Sequence, residues 1–185
     1  MKLGSLLAVA LLLAACAGTR EAVRPVGAPA TARAPEGGAR AAVYPILSGG
    51  RLLGEARVWS LGVVAGGSKT GRTAIDIAFE IHNRSELPMT VALDHVNVLS
   101  QAADTTLAIG DIAEVEGSLN VAPGHRRTAR LRLPLPVGMD PQLIDGFRVE
   151  WHVRSGEAVF AVSTSFVEEV PELLLNAERV AKRGY

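Results

Sequence analysis

The feature that most constrains the fold of this chain is an alternation of apolar and polar residues that recurs between residues 52 and 166. In residues 73–82, Ile75, Ile77, Phe79 and Ile81 alternate with polar or small side chains. Because successive side chains of a β-strand point to opposite faces of a sheet, this period of two predicts a half-buried strand. Further strands are predicted over residues 52–61, 90–99, 106–109, 113–121, 128–133, 147–153 and 158–166.

Turn-forming residues separate the predicted strands. They include the run from Asn83 to Pro88, Pro123-Gly124 and Ser155-Gly156. The alternation also changes phase near Asp94-His95, which predicts a β-bulge. Seven or eight short antiparallel strands without alternating helices predict an all-β, immunoglobulin-like antiparallel β-sandwich. A closed barrel is the alternative that periodicity leaves open.

Two short segments resemble known sandwich families. The segment from Ile77 to Val91 combines an apolar strand, an Asn-x-Ser turn, a proline and a second apolar strand. In this it resembles late-embryogenesis-abundant or water-stress-type domains and the telokin-like domains of bacterial lipoproteins. The run Val121-Ala122-Pro123-Gly124, followed by an alternating strand, is also similar to the telokin-like pattern. The resemblance implies a fold and no particular activity.

The N-terminus has the pattern of an exported protein. Lys2 precedes an apolar run of about 11 residues, which is too short to cross the hydrocarbon core of a membrane. The run Leu13-Ala14-Ala15-Cys16 resembles the bacterial lipobox. This resemblance implies cleavage before Cys16, transfer of diacylglycerol to its thiol, and acylation of the new amino group by palmitate or a similar fatty acid. Cys16 is the only cysteine, so no intramolecular disulfide can form.

The sequence predicts four parts: a lipoprotein signal peptide over residues 1–15, the lipidated cysteine and a flexible linker over 16–41, the β-sandwich over 42–170, and a helix over 171–185. The linker is rich in Ala, Gly and Pro and has no hydrophobic period. Pro171 at the first turn, three leucines after it and basic residues near the end favour the helix. Ala17, in place of an aspartate after the cysteine, implies anchoring in the outer membrane, facing the periplasm.

The sequence predicts no catalytic, metal or cofactor site. Its histidines, His82, His95, His125 and His152, lack the paired spacing of zinc motifs. The glycine-rich residues 66–71 lack the upstream glycine of a phosphate-binding loop and are predicted to form a hairpin loop. The 19 basic and 19 acidic residues balance, which, together with export, argues against nucleic acid as a partner. The two tryptophans are predicted to pack in the core.

The remaining candidate is an interaction surface. It consists of the basic residues of one strand and the turn before the proline, namely Arg126, Arg127, Arg130, Arg132, Asn83 and Arg84. The alternative is an edge strand that its charges keep soluble. We therefore expect a non-enzymatic cell-envelope lipoprotein that binds membrane lipid through Cys16 and binds an envelope protein. The alternative function is a carrier that holds a small apolar ligand or lipid between the sheets.

Overall fold

The computed structural model describes residues 23–35, 39–64, 73–100, 107–109, 114–116, 119–135, 144 and 146–168. The predicted signal peptide, Cys16, the loop 66–71 and the C-terminal helix lie outside these residues. Within them, two antiparallel sheets pack face to face. This confirms the predicted all-β sandwich, because the strands form two separate sheets rather than one closed barrel.

The described residues form thirteen strands. The seven-stranded sheet begins with β1 (Val23–Val26), β13 (Ala158–Glu168) and β12 (Gly146–Ser155). Two strands, β6 (Met89–Val91) and β7 (Asn97–Ser100), lie end to end along the free edge of β12. β10 (Asn120–Val121) pairs with β6, and β8 (Leu107–Ile109) pairs with β7. The six-stranded sheet runs in the order β2 (Ala30–Arg33), β3 (Arg40–Ser48), β4 (Arg51–Val64), β5 (Ala74–Asn83), β11 (Arg126–Pro134) and β9 (Glu114–Glu116).

The inner faces of the sheets carry the alternating apolar residues. All four apolar residues of the predicted strand 73–82 are buried in the main core. Trp151 of β12 lies edge-on to Phe79 of β5, with ring centroids 5.4 Å apart, and edge-on to Tyr44 of β3 at 5.8 Å. Its indole nitrogen donates a hydrogen bond to the Thr164 hydroxyl over 3.2 Å. Trp151 therefore joins the two sheets through both apolar and polar contacts.

The phase change near Asp94-His95 is a larger irregularity than a simple bulge. A short 3-10 helix, Leu93–His95, separates β6 from β7. Both strands pair with β12, Val91 opposite Val153 and Asn97 opposite Glu150. Residues 92–96 therefore lie opposite only two residues of β12. Leu93 and Val96 are buried and fix this insertion to the core.

The predicted linker boundary at residue 41 is wrong, because two strands lie before it. In β1, Val23 and Pro25 are buried while Arg24 and Val26 are exposed. β1 pairs with β13, and β2 pairs with β3. These strands have only four residues each, and prolines and alanines hide their alternation in the sequence. The folded part described here therefore begins at Val23.

The two ends of the sandwich differ. One end, which we call the turn end, gathers four tight turns over residues 49–50, 84–88, 122–125 and 156–157. Val23, the start of β1, pairs with Glu168, the last residue of β13, at the opposite end. We call this the N-terminal end. β5 has ten residues and runs between the two ends, so they lie roughly 30 Å apart.

Candidate functional site

The outer face of the six-stranded sheet carries most of the predicted interaction residues. Its strands align side chains in rows across the sheet, because β3, β4, β5 and β11 are paired in register. From the turn end inward, the first row is Pro45, Glu55, His82 and Arg126, and the second is Val43, Arg57, Glu80 and Thr128. The third is Trp59, Ala78 and Arg130, and the fourth is Gly62, Asp76 and Arg132. Arg127 has the opposite phase but is exposed at the turn end.

Glu80 is the centre of an ion-pair network on this face. Its side chain is only 6% exposed, and its carboxylate lies 3.6 Å from Arg57 and 3.7 Å from Arg126. Arg57 also donates a 2.8 Å hydrogen bond to Glu55. A buried carboxylate is stable only when cations or hydrogen-bond donors compensate its lost hydration. Arg126 therefore has a structural role as well as a partly exposed guanidinium.

Arg132 is held in a second ion pair. Its guanidinium donates from Nε to Asp76 Oδ1 over 2.7 Å and from Nη2 to Asp76 Oδ2 over 2.6 Å. This two-point geometry is the strong form of an arginine–carboxylate pair. Arg130 and Arg132 also stand in register with Glu116 and Glu114 of β9. The strand is therefore not the purely basic patch that its own residues predicted, because Arg126 and Arg132 are paired with Glu80 and Asp76 of the neighbouring strand β5.

Asn83 is not part of an exposed surface, which corrects its assignment from the sequence. The residue is fully buried. Its amide nitrogen donates to the carbonyls of Leu87, over 2.7 Å, and Val121, over 2.9 Å. Its side-chain oxygen accepts from the Ser85 backbone N–H at 2.9 Å and from the Ser85 hydroxyl at 2.8 Å. Asn83 therefore builds the turn that presents Arg84, as an Asx turn does.

His82 lies between two arginines near the turn end, Arg84 and Arg126. Arg84 Nε donates to His82 Nδ1 over 3.4 Å, and Arg126 Nη2 lies 3.4 Å from the same nitrogen. Partial burial lowers the pKa of His82, and the positive charges of Arg126 and Arg84 act in the same direction. The neutral imidazole is therefore the form that this cluster stabilises.

The lowered pKa of His82 predicts how stability depends on pH. The unfolded chain binds a proton at this histidine near its ordinary value of 6.5, and the folded chain binds it only at lower pH. The contribution of His82 to the free energy of unfolding is thus complete above pH 6.5 and is lost as the pH falls through the folded pKa. The free energy of unfolding should be measured by urea titration at several pH values between 7 and 5. It should fall less steeply with decreasing pH for His82→Gln than for the parent.

Arg84→Gln is the matched variant for this titration. It removes one of the two guanidinium charges but keeps the histidine, so it should reduce the pH dependence in part. An identical slope for the parent and His82→Gln would show that other groups set the acid sensitivity.

The turn end combines exposed apolar and basic side chains. Leu47 and Leu52 face each other across the β3–β4 hairpin and are 47% and 43% exposed. Leu87, in the turn after Asn83, is 54% exposed. Arg84 and Arg127 are exposed at the same end. Exposed apolar and exposed basic side chains therefore lie at the same end of the sandwich.

Trp59 occupies an unexpected position. It is fully buried, but on the outer face of the six-stranded sheet, where it packs in a small second cluster with Ala34, Ala41 and Ala78. The predicted burial of both tryptophans is therefore confirmed, although only Trp151 belongs to the main core. The Trp59 indole nitrogen is buried without a hydrogen-bond partner. The packing of Trp59 against Ala41 and Ala78 was not readable from the local sequence.

The predicted carrier function stays a prediction. At the middle of the sandwich, side chains from both sheets touch across the interior, as Phe79 and Trp151 do. Phe147 and Phe166 stack at 5.1 Å on the inner face of the seven-stranded sheet. A ligand between the sheets would have to lie elsewhere than at these contacts or displace the rings.

Comparison with known proteins gives no family. No protein-family model matches this chain, and no curated protein matches it significantly. Among the described residues, no helix is long and apolar enough to cross a membrane. The same residues contain no group of three or more histidine, cysteine or acidic side chains placed to hold a metal ion.

Proposed function

We propose that this chain is a non-enzymatic cell-envelope lipoprotein, anchored through lipid on Cys16, whose sandwich binds a protein partner at the turn end. The anchor places it at the outer membrane, facing the periplasm. The partner is another envelope protein, and binding uses Arg84, Arg127 and the exposed leucines Leu47, Leu52 and Leu87.

The observation that supports this proposal most directly is that the start of β1 and the four turns lie at opposite ends of the sandwich. Val23 starts β1 at the end opposite the four turns. Only six residues separate Cys16 from Val23, and an extended segment of that length spans at most roughly 20 Å. A lipid on Cys16 would therefore hold the N-terminal end near the bilayer. The turn end would then be free to project into the periplasm.

The charges on the outer face also fit a binding module better than an active site. Asp76 and Glu80, the buried carboxylates, are paired with arginines. Because these ion pairs join neighbouring strands of the sheet, the two carboxylates have a structural role.

The proposal predicts which arginines matter for partner binding. Crosslinking in cells, followed by affinity recovery and mass spectrometry, should recover a defined envelope protein with the parent chain. Arg84→Glu combined with Arg127→Glu should lower that recovery at least tenfold, because both charges would reverse at a desolvated contact. The folded state should persist, because neither side chain pairs with the buried carboxylates.

The control variant is Arg24→Glu combined with Arg40→Glu. It makes the same change in net charge on exposed residues of β1 and β3, away from the turn end. Equal loss of recovery in both double variants would mean that net charge, not the turn end, determines binding. A Cys16→Ala chain with a cleavable secretory signal tests the anchor separately. If it is released from membranes, Cys16 is the anchor; if it stays bound, the lipid proposal is wrong.

A further inference from the structure

A second surface lies on the outer face of the seven-stranded sheet. There, a shallow depression of about 290 Å³ is lined by Thr90, Ala92, His95, His152, Arg154 and Val159. It lies on the opposite side of the sandwich from the ion-pair network of Glu80. The predicted interaction surface includes none of these residues.

The insertion between β6 and β7 builds this depression. His152 has an outward phase on β12, and Arg154 follows it on the same face. The 3-10 helix Leu93–His95 lies against β12, because Leu93 at its start and Val96 just after its end are both buried. As a result, the rings of His95 and His152 lie 6.0 Å apart at an angle of 59°. A regular strand in this position would pair continuously with β12 and would not place His95 there.

The depression is rich in hydrogen-bond donors. Arg154 carries five N–H groups, and the His152 imidazole carries at least one. Thr90 contributes no donor, because its hydroxyl donates to Asn120 over 2.8 Å. None of the six lining residues is acidic. On the same face of β12, Glu150 is paired with Arg148 over 3.3 Å.

These features distinguish between classes of ligand. A metal cation is disfavoured, because the guanidinium of Arg154 would repel it and only two imidazoles could coordinate it. An anion is favoured by the guanidinium charge. A phosphate group has several oxygens, so it can accept hydrogen bonds from the guanidinium of Arg154 and from the His152 imidazole at the same time.

We propose that the depression formed by His95, His152 and Arg154 binds a phosphate group. Arg154 donates two hydrogen bonds to it, His152 contributes an imidazole N–H, and the His95 ring forms a wall of the depression. The phosphate belongs either to a small soluble molecule or to a lipid headgroup. This inference is independent of the proposed partner surface, because it uses the other sheet.

Histidine NMR of the full chain, purified in a non-ionic detergent, tests the site. Titration with inorganic phosphate at neutral pH and constant ionic strength should shift the ring signals of His95 and His152 to saturation in the millimolar range. His82 and His125 lie at the turn end and serve as internal controls. Saturable shifts confined to His95 and His152 support the site. No saturable shift, or equal shifts of all four histidines, would overturn it.

Two substitutions on one strand sharpen the test. Arg154→Gln should weaken phosphate binding at least tenfold, because a charge-assisted contact is lost. Arg148→Gln makes the same change on the same face of β12, outside the depression. If Arg148→Gln weakens phosphate binding as much as Arg154→Gln does, the loss reflects the net charge of the chain and the assigned site is wrong. The amide spectrum of each variant checks that it is folded.

Vesicles distinguish the two sources of phosphate. Phosphatidylglycerol vesicles should be compared with phosphatidylcholine vesicles of equal size, using the parent and Arg154→Gln chains that carry Cys16→Ala and therefore no lipid. Sedimentation with phosphatidylglycerol vesicles that depends on Arg154 assigns a lipid headgroup. Binding of inorganic phosphate without Arg154-dependent sedimentation assigns a soluble phosphate compound. Absence of both would refute the proposal.

Discussion

Trp151→Ala is expected to lower the free energy of unfolding by about 3–5 kcal/mol, the range for loss of a large aromatic side chain from a packed core. Trp151 is 1% exposed and contacts Phe79 and Tyr44 edge-on. Its removal also leaves the Thr164 hydroxyl without the indole donor. Urea unfolding followed by circular dichroism measures the loss, and Trp59 remains as a fluorescence reporter.

The two tryptophans provide a matched comparison. Trp151→Phe removes a hydrogen bond that is made, whereas Trp59→Phe removes a buried N–H that has no partner. A buried N–H group without a hydrogen-bond partner lowers the free energy of unfolding by about 1–3 kcal/mol. Removing this N–H from Trp59 therefore offsets part of the stability that is lost when the smaller phenylalanine leaves a cavity. Trp59→Phe should therefore be less destabilising than Trp151→Phe. The reverse order would contradict the assigned roles of the two indoles.

Asn83→Asp should destabilise the chain by about 3–5 kcal/mol at neutral pH, the range for an uncompensated buried charge. The amide nitrogen of Asn83 donates to two backbone carbonyls. A carboxylate oxygen in that place would face the same two oxygens without a proton between them. Denaturant unfolding should show the loss, and it should diminish at low pH, where the new carboxyl becomes protonated.

Asn97→Asp is the control, because Asn97 is exposed on β7 and the chemical change is the same. Its effect should stay within about 0.5 kcal/mol, as for other surface substitutions. A cost for Asn83→Asp no larger than that of the control would mean that Asn83 does not organise the turn. Since Arg84 follows Asn83, the folded fraction of Asn83→Asp should also show weaker partner recovery.

The glutamate and aspartate of the outer face illustrate what local patterns miss. Asp76 and Glu80 have outward phases on β5, and an outward phase by itself favours a solvated carboxylate. Both are buried, because arginines of the neighbouring strands lie across from them and cover them. Strand pairing over 56 residues of chain places Arg132 beside Asp76. No period along one strand contains that information.

The sequence by itself determined the elements whose signal is local. Alternation over residues 73–82, 128–133, 147–153 and 158–166 located β5, β11, β12 and β13, because which residues of a strand face the core depends only on the period of two. The turn from Asn83 to Pro88 and the irregularity near His95 were also visible. The four-residue strand β1 was not, since such a strand is stable only when a partner pairs with it.

Only the tertiary structure decided which residues are available for binding. It buried Asn83 in a turn, tied Arg126 and Arg132 to carboxylates, left Arg84 and Arg127 exposed, and brought His95 beside His152. The physical reason is the range of the interactions. The hydrophobic period acts between neighbours along the chain, whereas ion pairs, register and burial depend on segments that meet only when the two sheets have formed.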